Sequence, residues 1–201
     1  MKEISIKATK REDLGKRGTK AVRNADAVPG ILYGSAKDAN GATQTIPFTV
    51  TNSELRNLIY TPNIYLINLD IDGKQVKAVL KDIQFHPVKD TVLHVDFYQV
   101  VEDEPIVMAV PVATSGLAAG VREGGKLNQQ VRRLKVRATY DNIPEKLVVD
   151  VTKLGLEQTI KVGELSFEGL ELVTPKEVVV VAVKMTRAAK NARLAAMKAG
   201  N

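Results

Sequence analysis

The chain has no cysteine and no tryptophan, only two histidines among its 201 residues, and 4% aromatic side chains. Without cysteine there are no disulfides and no thiolate metal site, which suits a reducing compartment and leads us to expect a cytoplasmic protein. Apolar residues nowhere run on for the roughly 18 positions that a membrane-spanning helix needs. The N-terminal MKEISIKATK alternates polar and apolar residues instead of forming the apolar stretch of a leader. No membrane partner is expected. Chemistry-bearing motifs are equally scarce: VREGGKLN (121–128) has two adjacent glycines and a lysine but lacks phosphate-loop spacing, and reads as a turn. These shortages point away from an enzyme, a cofactor, a resident metal and a small-molecule substrate.

What the chain does have is positive charge at both ends. Of its net charge of +6, residues 1–24 hold +5 and residues 186–201 hold +4, while 25–98 and 99–185 are near neutral at −2 and −1. A neutral body with basic termini is the electrostatic footprint of a nucleic-acid binder. The densest stretch is GKRGTKAVRNADAVPGILYG (15–34), in which Lys16, Arg17, Lys20 and Arg23 stand with no acid between Gly15 and Asp26. An ordinary solvated helix face mixes its signs. With 44% hydrophobic and 26% charged residues, the chain is long enough for two modest domains, each with its own core.

Periodicity outlines the elements. Ile4, Ile6 and Ala8 alternate with polar residues and predict a first strand ending near Lys10. From about Thr19 a short helix is expected, on which Lys16, Lys20 and Arg23 (i, i+4, i+7) share one face. Pro29 stops it, and GILYG reads as a short strand between glycines. QTIPFTV (44–50) is a strand, followed by a helix ELRNLIY capped by Asn52 or Ser53. IYLINLDIDGKQVKAVL predicts a hairpin turning at Asp72-Gly73, and TVLHVDFYQV a further strand. The acidic, proline-bearing VEDEPI (101–106) marks a boundary. Beyond it IVMAVPVAT, LNQQVRRLKVRAT, KLVVDVT, QTIKV and EVVVVAVKM read as strands of an almost all-β second half. The Ala-rich basic residues 186–201 read as a helical or frayed tail.

The one constellation that invites a chemical reading is IQFHPVKDTVLHVDF. On a strand, His94 and Asp96 project to one face, and a reversal near Pro87 to Asp90 brings His86 towards them. Two imidazoles and a carboxylate are the ligand set of a non-haem iron site. Here all three fall within eleven positions, with no nucleophile or cofactor loop nearby, so a polar surface network or an RNA-facing set fits better. His, Gln, Asp and Tyr side chains offer donors and acceptors to base edges and 2′-hydroxyls, while basic residues hold phosphates. A sheet face with Tyr33, Gln84, His94 and Asp96, flanked by the Lys16–Arg23 cluster, divides that labour. For Tyr33 a place in the core or at a barrel rim is the competing reading.

Three stretches together resemble a known family. GKRGTKAVRNADAVPGILYG is similar to a Gly-Lys-Gly followed by basic residues, then Val-Pro-Ala and an aliphatic-Tyr-Gly. LKDIQFHPVKDTVLHVDF is similar to Gln-x-His-Pro and His-x-Asp-Phe, and an Asp-Gly hairpin stands between the two. These are features of the bacterial large-subunit ribosomal protein twenty-five family, in its long form the general stress protein CTC family. AAGVREGGKLNQQVRRLKVRAT and IPEKLVVDVT resemble that family's second, all-β domain.

The resemblance implies a mainly β protein: a small N-terminal β-barrel with short helices over 1–98, a C-terminal all-β domain over 105–185, and a short basic helical or disordered tail over 186–201. It implies a structural ribosomal protein with no catalytic role, which holds the loop E helix of 5S ribosomal RNA among neighbouring large-subunit proteins in the cytoplasm. By position Lys16, Lys20 and Arg23 fall to phosphates, with Lys10 and Arg17 counted among the RNA-binding residues. Tyr33, Gln84, His86, His94 and Asp96 fall on the RNA-facing surface. Arg17 stands where many members have Gly, and Phe85 where some have Arg. The alternatives are a β-rich interaction or stress module acting off the ribosome, and a metalloenzyme.

Overall fold

Alternation of apolar residues at a period of two, with Gly, Pro and Asn between the runs, produces strands throughout the computed structural model, which describes residues 1–37, 43–101, 104–187 and 189–191. Their order is β1 (Lys2–Lys10), α1 (Lys16–Asn24), β2 (Ala27–Lys37), β3 (Thr43–Thr51), α2 (Asn52–Ile59), β4 (Tyr65–Ile71), β5 (Lys74–Phe85) and β6 (Val92–Gln99). There follow β7 (Ile106–Ser115), α3 (Ala119–Arg122), β8 (Gly125–Gln129), β9 (Arg133–Ala138), β10 (Leu147–Asp150), β11 (Thr159–Lys161), β12 (Glu171–Leu172) and β13 (Val179–Met185). Contacts divide the chain into two compact units, 1–106 with 139–141, and 107–138 with 142–201.

In the first unit six strands close a barrel in the order β1-β3-β2-β6-β5-β4. Two parallel pairings make the closure: β1 lies along β4 from Lys2↔Tyr65 to Ala8↔Ile71, and β2 along β6 from Gly30↔Val95 to Gly34↔Gln99. The other pairs are antiparallel. Closure gives every strand two neighbours, although β1 meets β3 only at Thr9↔Thr49 and Lys10↔Phe48. The interior is filled by Ile6, Leu32, Val50, Leu55, Ile67, Leu69 and Val95, with the Phe48 and Phe97 rings stacked 5.3 Å apart at its centre. Both rings are fully buried, and such a pair adds about 1 kcal/mol beyond the area it removes from water.

Most expected elements form, with shifts that have local causes. The helix anticipated from about Thr19 starts three residues earlier, at Lys16, because Gly15 at φ 106° turns the chain and its carbonyl accepts both the N–H and the hydroxyl of Thr19. The strand read as GILYG extends from Ala27 to Lys37 and includes Pro29. Pairing with β6 begins only at Gly30, so the proline's missing N–H falls beside an edge without that partner. Thr51, not Asn52 or Ser53, is the N-cap of α2. The hairpin turns at Asp72-Gly73 as read, with φ values of 50° and 88° suited to a tight two-residue turn, and β5 continues five residues past the anticipated end.

The second unit holds two sheets, β10-β7-β9-β12 and β11-β13-β8. LNQQVRRLKVRAT, read as one strand, is two strands in different sheets. Between them the Gln129 amide donates to Val112 O and Val131 O, while the Gln130 and Val131 N–H groups turn to Val180 O. VREGGKLN supplies the end of α3, a turn at Glu123-Gly124, and the start of β8. Of the tail, residues 187 and 189–191 are helical; Thr186 starts them, its hydroxyl accepting the Ala189 N–H and donating to Gly124 O. The rest of the tail lies outside the described residues.

Candidate nucleic-acid interface

Two irregularities in the β5–β6 pair shape the outer face of the barrel. Leu80↔Phe97 is followed by Asp82↔Asp96, which leaves Lys81 unpaired, and Gln84↔His94 is followed by Phe85↔Val92, which leaves Leu93 unpaired. Each is a β-bulge that lets side chains three apart, Leu80 and Ile83, or Val92 and Val95, pack into the same core. The outward positions are then Asp82 and Gln84 on β5 and His94, Asp96 and Tyr98 on β6. Parallel register places Tyr33 of β2 beside Tyr98.

These side chains touch. Nδ1 of His94 lies 2.7 Å from Oδ1 of Asp96, but its hydrogen-bonding direction misses the carboxylate, so the contact is an alignment of charge and dipole and not a good hydrogen bond. His94 and Gln84 are direct cross-strand neighbours. The Tyr33 and Tyr98 rings meet edge to face at 5.8 Å, and the Lys81 ammonium stands 5.8 Å over the Tyr98 ring. Partial burial, then the charges of Asp96 and Asp82 and the neighbouring Tyr98, push the Tyr33 hydroxyl above its ordinary value. At neutral pH it therefore remains a hydrogen-bond donor.

The helix α1 has no buried residue, and no part of the core recruits it. Side chains hold it instead. Arg11 Nη2 donates to Thr19 Oγ1 at 3.2 Å and to Asp13 O at 3.0 Å, fixing the turn that enters the helix. Gly18 packs so closely on that turn that a Cβ there would lie 2.6 Å from Asp13 O. At the other end Arg23 donates through Nε and Nη2 to Leu93 O at 3.1 and 2.8 Å. Leu93 is the residue the second bulge leaves without a strand partner, so one irregularity in β6 creates the acceptor on which α1 is hung.

The remaining cations of the helix are unengaged. Among the described residues Lys16, Arg17 and Lys20 are exposed and make no side-chain hydrogen bond or ion pair. Lys16, Lys20 and Arg23 fall within an arc of about 60°, with Arg17 about 60° beyond it and Gly18 and Val22 on the inner side. Lys10 is exposed at the end of β1, its N–H bonded to Asp72 Oδ2, and lines a groove with Arg11, Gly18 and Val22.

Of the residues named from sequence, the barrel thus brings together Tyr33, Gln84, His94 and Asp96, and Arg23 reaches the strand that carries two of them. His86 stands apart in the 86–91 turn, where its Nδ1 accepts the N–H groups of Val88 and Lys89. No three His, Cys, Asp or Glu side chains among the described residues are placed to hold one metal ion. Sequence reading missed Asp82, Tyr98, Lys81 and Arg11. Tyr98 and Asp82 had a usable signal, since they lie two residues from Asp96 and Gln84 on alternating stretches; Lys81 had none, because it is the bulge that breaks the alternation.

Comparison with known proteins places both halves. The Ribosomal L25p family matches residues 6–97, and the family described as Ribosomal protein TL5, C-terminal domain, matches 105–187. The large ribosomal subunit protein bL25 of Phocaeicola vulgatus is 60% identical over 198 residues, covering 98% of this chain and 100% of its own. That of Bacteroides thetaiotaomicron is 57% identical over 203 residues, with 98% and 100% covered, and that of Porphyromonas gingivalis 49% over 193 residues, with 96% and 97% covered. With likeness of that extent over nearly its whole length, and with a closed barrel followed by a β unit, the chain belongs to the ribosomal L25p family.

Proposed function

We propose that this chain is a structural protein of the large ribosomal subunit, and that its first unit clamps the loop E region of 5S ribosomal RNA. The tie between Arg23 and the bulged Leu93 carries the proposal, because it sets an unpaired basic helix beside a polar sheet face. Lys16 and Lys20, with Arg17 and Lys10, hold phosphates. Gln84, His94, Asp96 and Tyr33 read base edges and 2′-hydroxyls, while His86 lies apart in the 86–91 turn with its Nδ1 taken up by the Val88 and Lys89 N–H groups. Regular A-form RNA hides its base edges in a deep, narrow major groove. The non-Watson-Crick pairs of loop E widen it, which suits a face with both donors and acceptors. The loop E-binding role belongs to residues 1–98; residues 105–185 form the second domain, and the tail 186–201 is given no contact. Neighbouring large-subunit proteins are the remaining partners, on ribosomes in the cytoplasm.

A salt titration of variants against loop E RNA and a plain RNA duplex tests the division of roles. Lys20→Ala should weaken both complexes alike and flatten the salt dependence by about one unit of slope, because each phosphate contact releases counterions whatever the sequence. His94→Ala or Asp96→Ala should cost about 1 to 3 kcal/mol on loop E alone and leave the slope unchanged, by analogy with base-edge contacts in DNA. Equal losses on both RNAs for the His94 and Asp96 variants would remove them from the reading face.

A further inference from the structure

The second unit carries a row of cations that loop E binding does not employ. Along β9 the side chains alternate strictly: Leu134, Val136 and Ala138 are buried, while Arg133, Lys135 and Arg137 are exposed. Alternate residues on a strand recur every 6.6 to 6.8 Å or so, which gives a straight row about 13 Å long. That repeat is comparable to the separation of neighbouring phosphates along one nucleic-acid strand.

None of the three cationic side chains makes a hydrogen bond or ion pair among the described residues, although Glu171 of β12 stands opposite Arg137 in the register. One facing acid against three bases leaves this part of the sheet positive; Asp150 lies away on β10, at the opposite edge. On the β7 side the outward positions are the half-buried Val107, Ala109, Pro111 and Ala113. The exposed apolar side chains of this face are two single valines, Val173 opposite Lys135 and Val148 of β10 beside Ala113, and among the described residues these strands carry no aromatic ring, so the face lacks the clustered aromatic anchors around which protein interfaces are built. Two guanidinium forks and an ammonium at regular spacing suit a periodic chain of anions better than the irregular charges of a protein partner.

We propose that the outer face of β9, through Arg133, Lys135 and Arg137, is a second RNA-contacting surface that takes the phosphate backbone without reading bases. It is independent of the loop E assignment, since it uses another unit and other residues.

The test uses the full chain with Arg133→Gln, Lys135→Gln and Arg137→Gln combined, and a plain RNA duplex without loop E as probe, across roughly 50 to 200 mM salt. The triple variant should bind the duplex about tenfold or more weakly at low salt, with a slope of log affinity against log salt reduced by about 2 to 3 units. Arg133→Lys with Arg137→Lys, which keeps the charges, should retain the original slope. The ratio of loop E to plain-duplex affinity should rise or stay level. An unchanged affinity and slope in the triple variant would overturn the proposal and leave the row to an acidic protein partner. A loss of affinity with an unchanged slope would overturn it too, since a backbone contact must release counterions.

Discussion

Tyr33 stands beside two carboxylates on the barrel's outer face, and its chemistry gives a stability signature at high pH. Its folded-state ionisation is raised, so the native state holds this proton to higher pH than the unfolded chain does. The stabilisation is therefore complete below the ordinary tyrosine value of about 10 and is lost as pH climbs through the raised value. Urea midpoints should fall for the natural chain in that alkaline window, and Tyr33→Phe should lessen the fall; identical alkaline limbs would show that Tyr33 ionises freely. At this scale the sequence told much about side chains and little about their partners. His94 and Asp96 share a face because strand alternation is a local rule, and they do touch. That Arg23 ends on a backbone carbonyl 70 positions away depends on a bulge, which no local pattern reveals.

The helix α1 is short, has no buried residue, and would not hold its shape in isolation. Its order depends on Arg23 at one end and on Gly15, Gly18 and the Arg11–Thr19 contact at the other. Arg23→Ala should cost about 1 kcal/mol of local stability, read as faster amide exchange across 16–24 with the barrel strands unaffected. Gly18→Ala separates two opposed effects. Alanine in a helix interior is ordinarily favoured by up to about 1 kcal/mol, but here its Cβ would press on Asp13 O, so exchange should quicken instead of slowing. Slower exchange would mean the entering turn yields without cost. Elements with a local signature were legible: the Asp72-Gly73 hairpin and the alternating strands. LNQQVRRLKVRAT was misread as one strand because no glycine or proline separates its two halves, and the change of sheet shows only in long-range bonds from Gln129, Gln130 and Val131.

At the scale of the whole molecule, the residues assigned to loop E all lie in the first unit, whose buried set extends past the barrel to Val100 and Ile106. A fragment of residues 1–106 should keep the full chain's preference for loop E over plain duplex within a factor of ten, about 1.4 kcal/mol, while its binding to plain duplex weakens for want of the β9 row. The barrel itself was legible as a fold class through resemblance, whereas its closure by the parallel β1–β4 and β2–β6 pairs rests on long-range register that short patterns do not encode. Recognition of a distorted RNA groove is most directly tested by gel shift with 5S ribosomal RNA, once with loop E intact and once with it rebuilt as Watson-Crick pairs. Binding should weaken at least tenfold, about 1.4 kcal/mol, on the rebuilt RNA. Equal affinity for the two would mean that the polar face of β2, β5 and β6 reads nothing in loop E, and that the helix charges alone hold the RNA.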